Sequence, residues 1–223
     1  MPTTGPTFER ATTAENSISA AKKAGVRRFV AVSWGNGKAD SVNALIPGYL
    51  YLESRLRTIA GGPQWLIVRQ GQWIENGLGS FQYALQSGVL TAASSANSYT
   101  PYISRPDVGR AIAAATFKKD LVGKVLNIEG NVAYSYEQIA EILSEIGGKK
   151  IVFKTITVAE LEGILKYSLP DAIKSSAGDF AHMFASFSTA AELGEFKVSN
   201  DFFELTGKQP ESFTSYLKKL LQK

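Results

Sequence analysis

The sequence predicts an α/β protein: a partial Rossmann-like parallel sheet followed by a C-terminal α-rich lobe. Three observations carry that prediction. Short apolar runs rich in Val, Ile and aromatic residues occur at 27–34, 65–68 and 123–128, as strands buried on both faces require. Between them lie stretches with apolar residues at helical spacing, such as Leu52, Leu56 and Ile59. After residue 130 the pattern turns mostly helical, with capping boxes at two of the starts.

Composition narrows the function. With 223 residues there is room for one α/β domain or a domain carrying a lobe. The net charge of +4 comes from 24 basic and 20 acidic residues that are interspersed along the chain. That describes a solvated surface, with no nucleic-acid partner expected. Cysteine is absent, so disulfides, thiolate metal sites and a cysteine nucleophile are excluded. A single histidine excludes a multi-histidine metal centre, and no metal site is expected. No apolar run approaches the ~18 residues of a membrane span, and no secretory signal opens the chain. The expected setting is cytoplasmic, with a small-molecule substrate and no membrane partner.

In chain order, residues 1–10 read as no regular element. Residues 15–24 form a helix with Ile18, Ala21 and Ala24 on one face, Thr12 or Thr13 as cap and Gly25 as the left-handed stop. The strand at 27–34 follows. The helix expected at 49–60 places Tyr49, Leu52, Leu56 and Ile59 inward and turns Glu53, Arg55 and Arg57 mostly to other faces. Gly61-Gly62-Pro63 ends it. A second strand at 65–68 leaves through Arg69-Gln70-Gly71-Gln72-Trp73. Two buried strands joined by a helix make a right-handed crossover, and ligands of such sheets bind beyond the carboxyl ends of the strands. Those ends are Ser33-Trp34 and Gln70 to Trp73. They are expected side by side, facing a cavity closed by the tail of the chain.

Residues 80–86 read as helix, and 88–90 and 101–103 as short extended pieces. Ser104 caps the helix at 108–117, with Asp107 as a capping carboxylate rather than a catalytic acid. Capping boxes at Ser135/Gln138 and Thr157/Glu160 open helices at 136–146 and 158–167. The strand at 150–154 between them is an edge, judged by its flanking lysines. Residues 170–193 are a helix or helix pair carrying Phe180, Met183, Phe184 and Phe187, and short segments at 201–205 and 212–221 close the chain.

Gly35-Asn36-Gly37 follows a strand, but Asp40 stands where a dinucleotide fingerprint has its third glycine, and 43–48 read as loop. It is a substrate-side loop rather than a phosphate cradle. Tyr51 and Arg55, four residues apart, are the catalytic candidates: a cation beside a phenol makes it a better proton donor. The competing reading is an exposed aromatic packed on an arginine stem. Ser33 either holds a substrate oxygen or satisfies a turn amide. Trp34 and Trp73, at neighbouring exits, suggest the walls of an apolar pocket. His182 is either structural or lines that pocket.

Longer patterns resemble a known family. Asn16-x-x-x-Ala20-Ala21-Lys22-x-Ala24-Gly25-Val26-x-Arg28-Phe29-Val30 is one. Others are Val68-Arg69 leading to Trp73-Ile74-Glu75-Asn76, and Tyr102-Ile103-Ser104-x-x-Asp107-Val108-Gly109. Ser135 to Ala140 and Leu205-Thr206-Gly207-Lys208-Gln209-Pro210 complete the set. Together they resemble the NmrA-like atypical short-chain dehydrogenase/reductases. The resemblance implies an NAD(P)H-dependent reductase acting on a small apolar or conjugated substrate, quinone- or iminium-like, with NADP or NAD as cofactor. It places Gly5, Pro6, Ser33, Trp34, Gln70, Gly71 and Gln72 against the cofactor, and Trp73, Tyr102, Phe180 and Met183 against the substrate. The family's lysine falls near Tyr49, so Tyr51 and Arg55 are out of register with its dyad.

The family's opening strand and Gly-x-x-Gly-x-x-Gly turn have no counterpart here, which makes dinucleotide binding doubtful. The division expected is a truncated NAD(P)-binding core at 1–130 and a lobe at 131–223, with 98–104 crossing between them. The strand at 29–33 would present an open edge, covered by a second copy or a partner chain. Two further readings follow: a non-catalytic regulatory or binding protein, or a fragment of a longer reductase.

Overall fold

The computed structural model describes residues 7–222, with side chains from residue 10 onward. Gly5 and Pro6 lie outside the described residues.

Helix α1 (Thr7–Lys23) leads into strand β1 (Arg28–Trp34), and α2 (Ile46–Thr58) connects it to β2 (Gln64–Gln70). The two strands are parallel, in register from Arg28 opposite Gln64 to Trp34 opposite Gln70. Strand β6 (Val125–Ile128) adds to the far side of β2, also parallel, giving the order β1-β2-β6. Among the described residues β1 has no neighbour on its outer side.

Alternation along these strands sends side chains to two faces. Ala31 and Ile67 pack on Ile18 of α1 and Leu56 of α2. Leu66, Val68 and Ile128 pack on Val108, Ala111 and Ala115 of α4 (Arg105–Thr116), and on Phe202 and Leu205 of α8 (Asp201–Thr206). A Rossmann-type sheet, helix-covered on both faces, is therefore present.

Beyond β2 the chain forms β3 (Gln72–Trp73), α3 (Leu78–Ser87), β4 (Val89–Ala92) and β5 (Thr100–Ile103). Strand β3 pairs parallel with β5, which pairs antiparallel with β7 (Ala133–Tyr134). Strand β4 pairs parallel with β8 (Val152–Thr155). A third cluster gathers Phe81, Ala84 and Leu90 with Ile139 and Leu143 of α5 (Tyr136–Gly147), and with Phe213 and Leu217 of α9 (Phe213–Leu221). Helix α3 and β4 thus share their core with elements after residue 130. The lobe continues through α6 (Val158–Ser168) and α7 (Ala177–Glu192), which pack on each other.

Capping signals operate as read. Ser104 accepts from the Asp107 amide, and Ser135/Gln138 and Thr157/Glu160 form complete capping boxes. Two helix starts differ. Helix α1 begins at Thr7, so Thr12 and Thr13 lie inside it rather than capping it. Helix α2 begins at Ile46, with proline in its first turn, where a missing N–H costs nothing. Residues 46–48, expected as loop, are helical.

Candidate active site

At the carboxyl ends of the parallel strands the two exits adjoin: the Gly35 amide donates to the Gln70 carbonyl at 2.6 Å. The Gly71 amide donates to the Ile128 carbonyl at 2.9 Å, tying in the end of β6. Between these exits lies the side chain of Glu129, only 2% exposed. A methyl group on either Gly35 or Gly71 would overlap its carboxyl group. Asn36 Nδ2 donates to Glu129 Oε1 at 3.2 Å and to the Lys197 carbonyl at 3.1 Å. Asn36 itself sits at φ 53°, in the left-handed region that asparagine tolerates. Burial pushes the Glu129 carboxyl well above the usual carboxylate range, and Asn36 opposes this only in part. The gap directly between the exits, expected as open cavity, is thus filled by an acid.

The two tryptophans separate. Trp34 is buried and stacks on Phe187 of α7 with centroids 5.3 Å apart. It joins Leu45, Ile46, Tyr49 and Met183 in one cluster. Phe187 continues through Phe184 to Phe180, at 6.3 and 6.5 Å, making a half-buried aromatic row along α7. Trp73 turns to the other side, under Arg105, whose guanidinium lies 4.4 Å from the ring centroid. Tyr102 pairs with Gln72 rather than with Trp73 and takes the opposite face, tilted on Phe213 at 5.4 Å in the lobe core. Burial, then the adjacent Tyr136, push its phenol well up. The expected substrate wall of Trp73, Tyr102, Phe180 and Met183 is therefore divided, and only Met183 and Phe180 stay with Trp34.

Ser33 resolves to a structural role. It is fully buried and donates to Glu53 Oε1 at 2.7 Å. Glu53, expected on an outer face of its helix, is buried instead and takes two bonds of 2.7 Å from Arg69 and one of 2.9 Å from Arg57. Burial works to raise its pKa, but Arg69 and Ser33 outweigh burial and hold it below the ordinary value.

Tyr51 and Arg55 do share a helix face, yet that face meets α1 rather than the strand exits. Arg55 Nε donates to Glu15 at 2.5 Å, and the Tyr51 hydroxyl lies 3.4 Å from the same carboxylate. Tyr51 is 43% exposed. This is a surface ion pair, not a proton-donating dyad. The Arg55 guanidinium, followed by the Ser19 hydroxyl, holds Glu15 down to about 2. An NMR titration should find that value, and Arg55→Ala should return Glu15 toward ordinary carboxylate behaviour.

An open cleft lies one turn earlier on α2. It is lined by Arg10 and Ser17 of α1, Phe29 and Val32 of β1, and Tyr49 and Leu52 of α2. Arg10 donates to the Tyr49 hydroxyl at 3.0 Å and stands 5.0 Å from its ring centroid. The Tyr49 ring tilts on Trp34 at 6.2 Å, linking the cleft to the aromatic row. Burial raises the Tyr49 phenol against the opposing pull of Arg10. His182 is exposed on α7 and does not line the site.

Three buried polar atoms at the β2 exit have no hydrogen-bond partner among the described residues: Gln70 Oε1, Gln72 Oε1 and Trp73 Nε1. Two acceptors and one donor in four residues are the complement of a primary carboxamide, which carries two N–H donors and one acceptor. In kind, though not by any shown convergence, these donors and acceptors match the carboxamide end of a nicotinamide. The described residues fit the pyrophosphate less well, since Gly35-Asn36-Gly37 opens into a loop and α2 begins only at Ile46.

No family model matches the chain. Relatives are nonetheless clear. The chain is 28% identical over 172 residues to quinone oxidoreductase 2 of Escherichia coli, covering 77% of this chain and 59% of that protein. It is 28% identical over 204 residues to festuclavine dehydrogenase of Aspergillus fumigatus, covering 89% of this chain and 66% of that protein. The crystal structure of the E. coli enzyme complexed with NADPH superposes with a TM-score of 0.83 at 26% identity, over 96% of this chain and 72% of that one. The negative transcriptional regulator NmrA shares the fold at a TM-score of 0.69 and 14% identity, over 95% of this chain and 70% of its own. The fold is that of the NAD(P)-binding Rossmann-type reductases. Within that class the chain is similar to the NmrA-like atypical short-chain dehydrogenase/reductases. It spans less than two thirds of the length of the two curated relatives named. No helix among the described residues is long and apolar enough to cross a membrane.

Proposed function

We propose that this chain supplies the nicotinamide- and substrate-facing side of an NAD(P)H-dependent reductase for small conjugated acceptors, quinone- or iminium-like. One observation carries the reading: the exits of β1 and β2 are bonded together at the carboxyl ends of a parallel sheet, where Trp34 stacks on the aromatic row of α7. Gln70, Gln72 and Trp73 would hold the carboxamide of NADP or NAD, and Gly71 lets the backbone pass close. The bound cofactor supplies a hydride. Trp34, Phe187 and Met183 present an apolar wall that would orient a flat acceptor and exclude water. Quinone oxidoreductase 2 and festuclavine dehydrogenase support this class of chemistry by their names.

A second reading is a regulatory or binding protein without turnover. The loop that follows Gly35-Asn36-Gly37 favours it, because it offers no helix N-terminus to a pyrophosphate. Titrating the 223-residue chain with NADPH, followed by NADPH fluorescence, separates the two. Saturable micromolar binding with quinone-dependent NADPH oxidation is expected. Absence of binding up to millimolar NADPH would remove the reductase reading for this chain and leave the second.

A further inference from the structure

We propose that Glu129 is the acid that completes the reduction, delivering a proton to the oxygen of a quinone or conjugated carbonyl after hydride addition. This rests on the reductase reading above and narrows its substrate class.

Position comes first. Glu129 directly follows β6, and its carboxyl lies against the backbone of both exit loops, Gly35 on one side and Gly71 on the other. Only glycine leaves room for it at either place. Among the described residues its one hydrogen-bond partner is the neutral Asn36 side chain. No cation among the described residues pairs with it. Arg69, on β2, is committed to Glu53. Lys197 offers its carbonyl to Asn36 rather than its ammonium to Glu129. On the segment leading to α8, Glu195 accepts from Ser41, and Asp201 accepts from the Asn127 amide. Tyr102, whose carbonyl borders Gly130, contributes backbone there. Lys38 and Asp40, further along the β1 exit loop, are exposed. Burial in such a place raises the carboxyl's pKa and favours its protonated form.

Elimination points the same way. Tyr51 is on the surface with Glu15. Glu53 is ionised by its arginines. Asp107 is engaged by Ser104, Arg110 and the Glu211 amide. Among the described residues Glu129 is the buried carboxylic acid left at the strand exits, while the Tyr49 phenol in the cleft is bonded by Arg10.

The chemistry then selects the acceptor. Hydride addition to a quinone carbon or carbonyl leaves a pair of electrons on oxygen. The Glu129 O–H bond breaks as the new O–H bond forms, giving hydroquinone or alcohol and a carboxylate that water reprotonates. An iminium ion takes a hydride and becomes a neutral amine without any proton. It would gain from an ionised carboxylate beside it, which Glu129 does not provide. The site is thus built for oxyanion-forming acceptors.

The test compares the unmodified chain with Glu129→Gln and Glu129→Asp, using NADPH with a benzoquinone or with a cyclic iminium. Glu129→Gln keeps size and hydrogen bonding, so its folding should be intact and its NADPH affinity within about twofold of the parent. Quinone reduction should fall about 100-fold or more, the usual weight of a general acid, with partial recovery in Glu129→Asp. The alkaline fall in rate should vanish in Glu129→Gln. Infrared spectroscopy gives a readout free of turnover: a protonated carboxylic acid band at neutral pH in the parent, lost in Glu129→Gln. Parent turnover with unimpaired Glu129→Gln, faster iminium than quinone reduction, or no protonated carboxyl band would each overturn the proposal. Failure of the parent to bind NADPH would overturn the reductase reading, and this proposal with it.

Discussion

Glu53→Ala should destabilise the fold by about 3–5 kcal/mol, the usual cost of leaving a buried charge without its partner. For a chain of this length that lowers the melting temperature by roughly 6–20 °C. Glu53 is fully buried and takes four side-chain bonds, from Ser33, Arg57 and Nε and Nη2 of Arg69. Arg69 is mostly buried too, with 17% of its side chain exposed, so it cannot simply turn to water. Burial opposes the ionised form of Glu53, yet its pKa lies below the ordinary value because Arg69 and Ser33 outweigh burial. The sign of the pH dependence follows. A depressed folded pKa gives stability that is present above the unfolded carboxylate value and lost as pH falls through the folded one. Denaturant melts of the parent should therefore lose stability on acidification, and Glu53→Gln should flatten that loss. Replacing the pair together, Glu53→Leu with Arg69→Met, should recover much of the stability, because no uncompensated charge remains. A melt in which Glu53→Ala matches the parent would show that the network contributes nothing.

Much of the fold was legible in the sequence. The runs at 27–34, 65–68 and 123–128 became β1, β2 and β6 because a strand covered on both faces must be apolar nearly throughout. The caps at Ser104, Ser135 and Thr157 were legible because their partners lie three residues away, within one turn. The start of α1 was not, since residues 7–10 carry no apolar period, and Gly48 hid the start of α2 behind Leu45-Ile46-Pro47.

The candidate site was less legible, for a physical reason. A glutamate on a helix reads as surface, and what buries Glu53 is Ser33, twenty residues back, and Arg69, sixteen ahead. Glu129 ends an apolar strand and precedes a glycine, a weak local sign; its meaning depends on Gly35 and Gly71, which tertiary folding brings to it. Arg10 lay in a stretch read as structureless, so its bond to Tyr49 could not be foreseen. Tyr51 and Arg55 fulfil the spacing rule for a shared helix face, but spacing does not say which neighbour that face meets.

Gly71→Ala should cost about 1–3 kcal/mol, the range for forcing an extra methyl into a filled interior. The new carbon would overlap the Glu129 carboxyl, and Gly35 blocks the opposite direction, so the side chain cannot slide away within its plane. Either the acid is driven out past Asn36 or the β2 exit moves, and both disturb the Gly71 to Ile128 bond. Truncating the acid removes the clash. In a Glu129→Ala background Gly71→Ala should cost much less, leaving only the tight approach to the Pro101 carbonyl at 3.3 Å, with a coupling of about 1–3 kcal/mol between the two sites. Gly130→Ala supplies the contrast. Its methyl would meet the Tyr102 carbonyl, which is backbone, and no side-chain truncation can relieve that. It should therefore destabilise equally in the parent and in Glu129→Ala. Equal destabilisation by Gly71→Ala in both backgrounds would mean that the glycine is required by its own conformation, and that the carboxyl does not occupy the space between the exits.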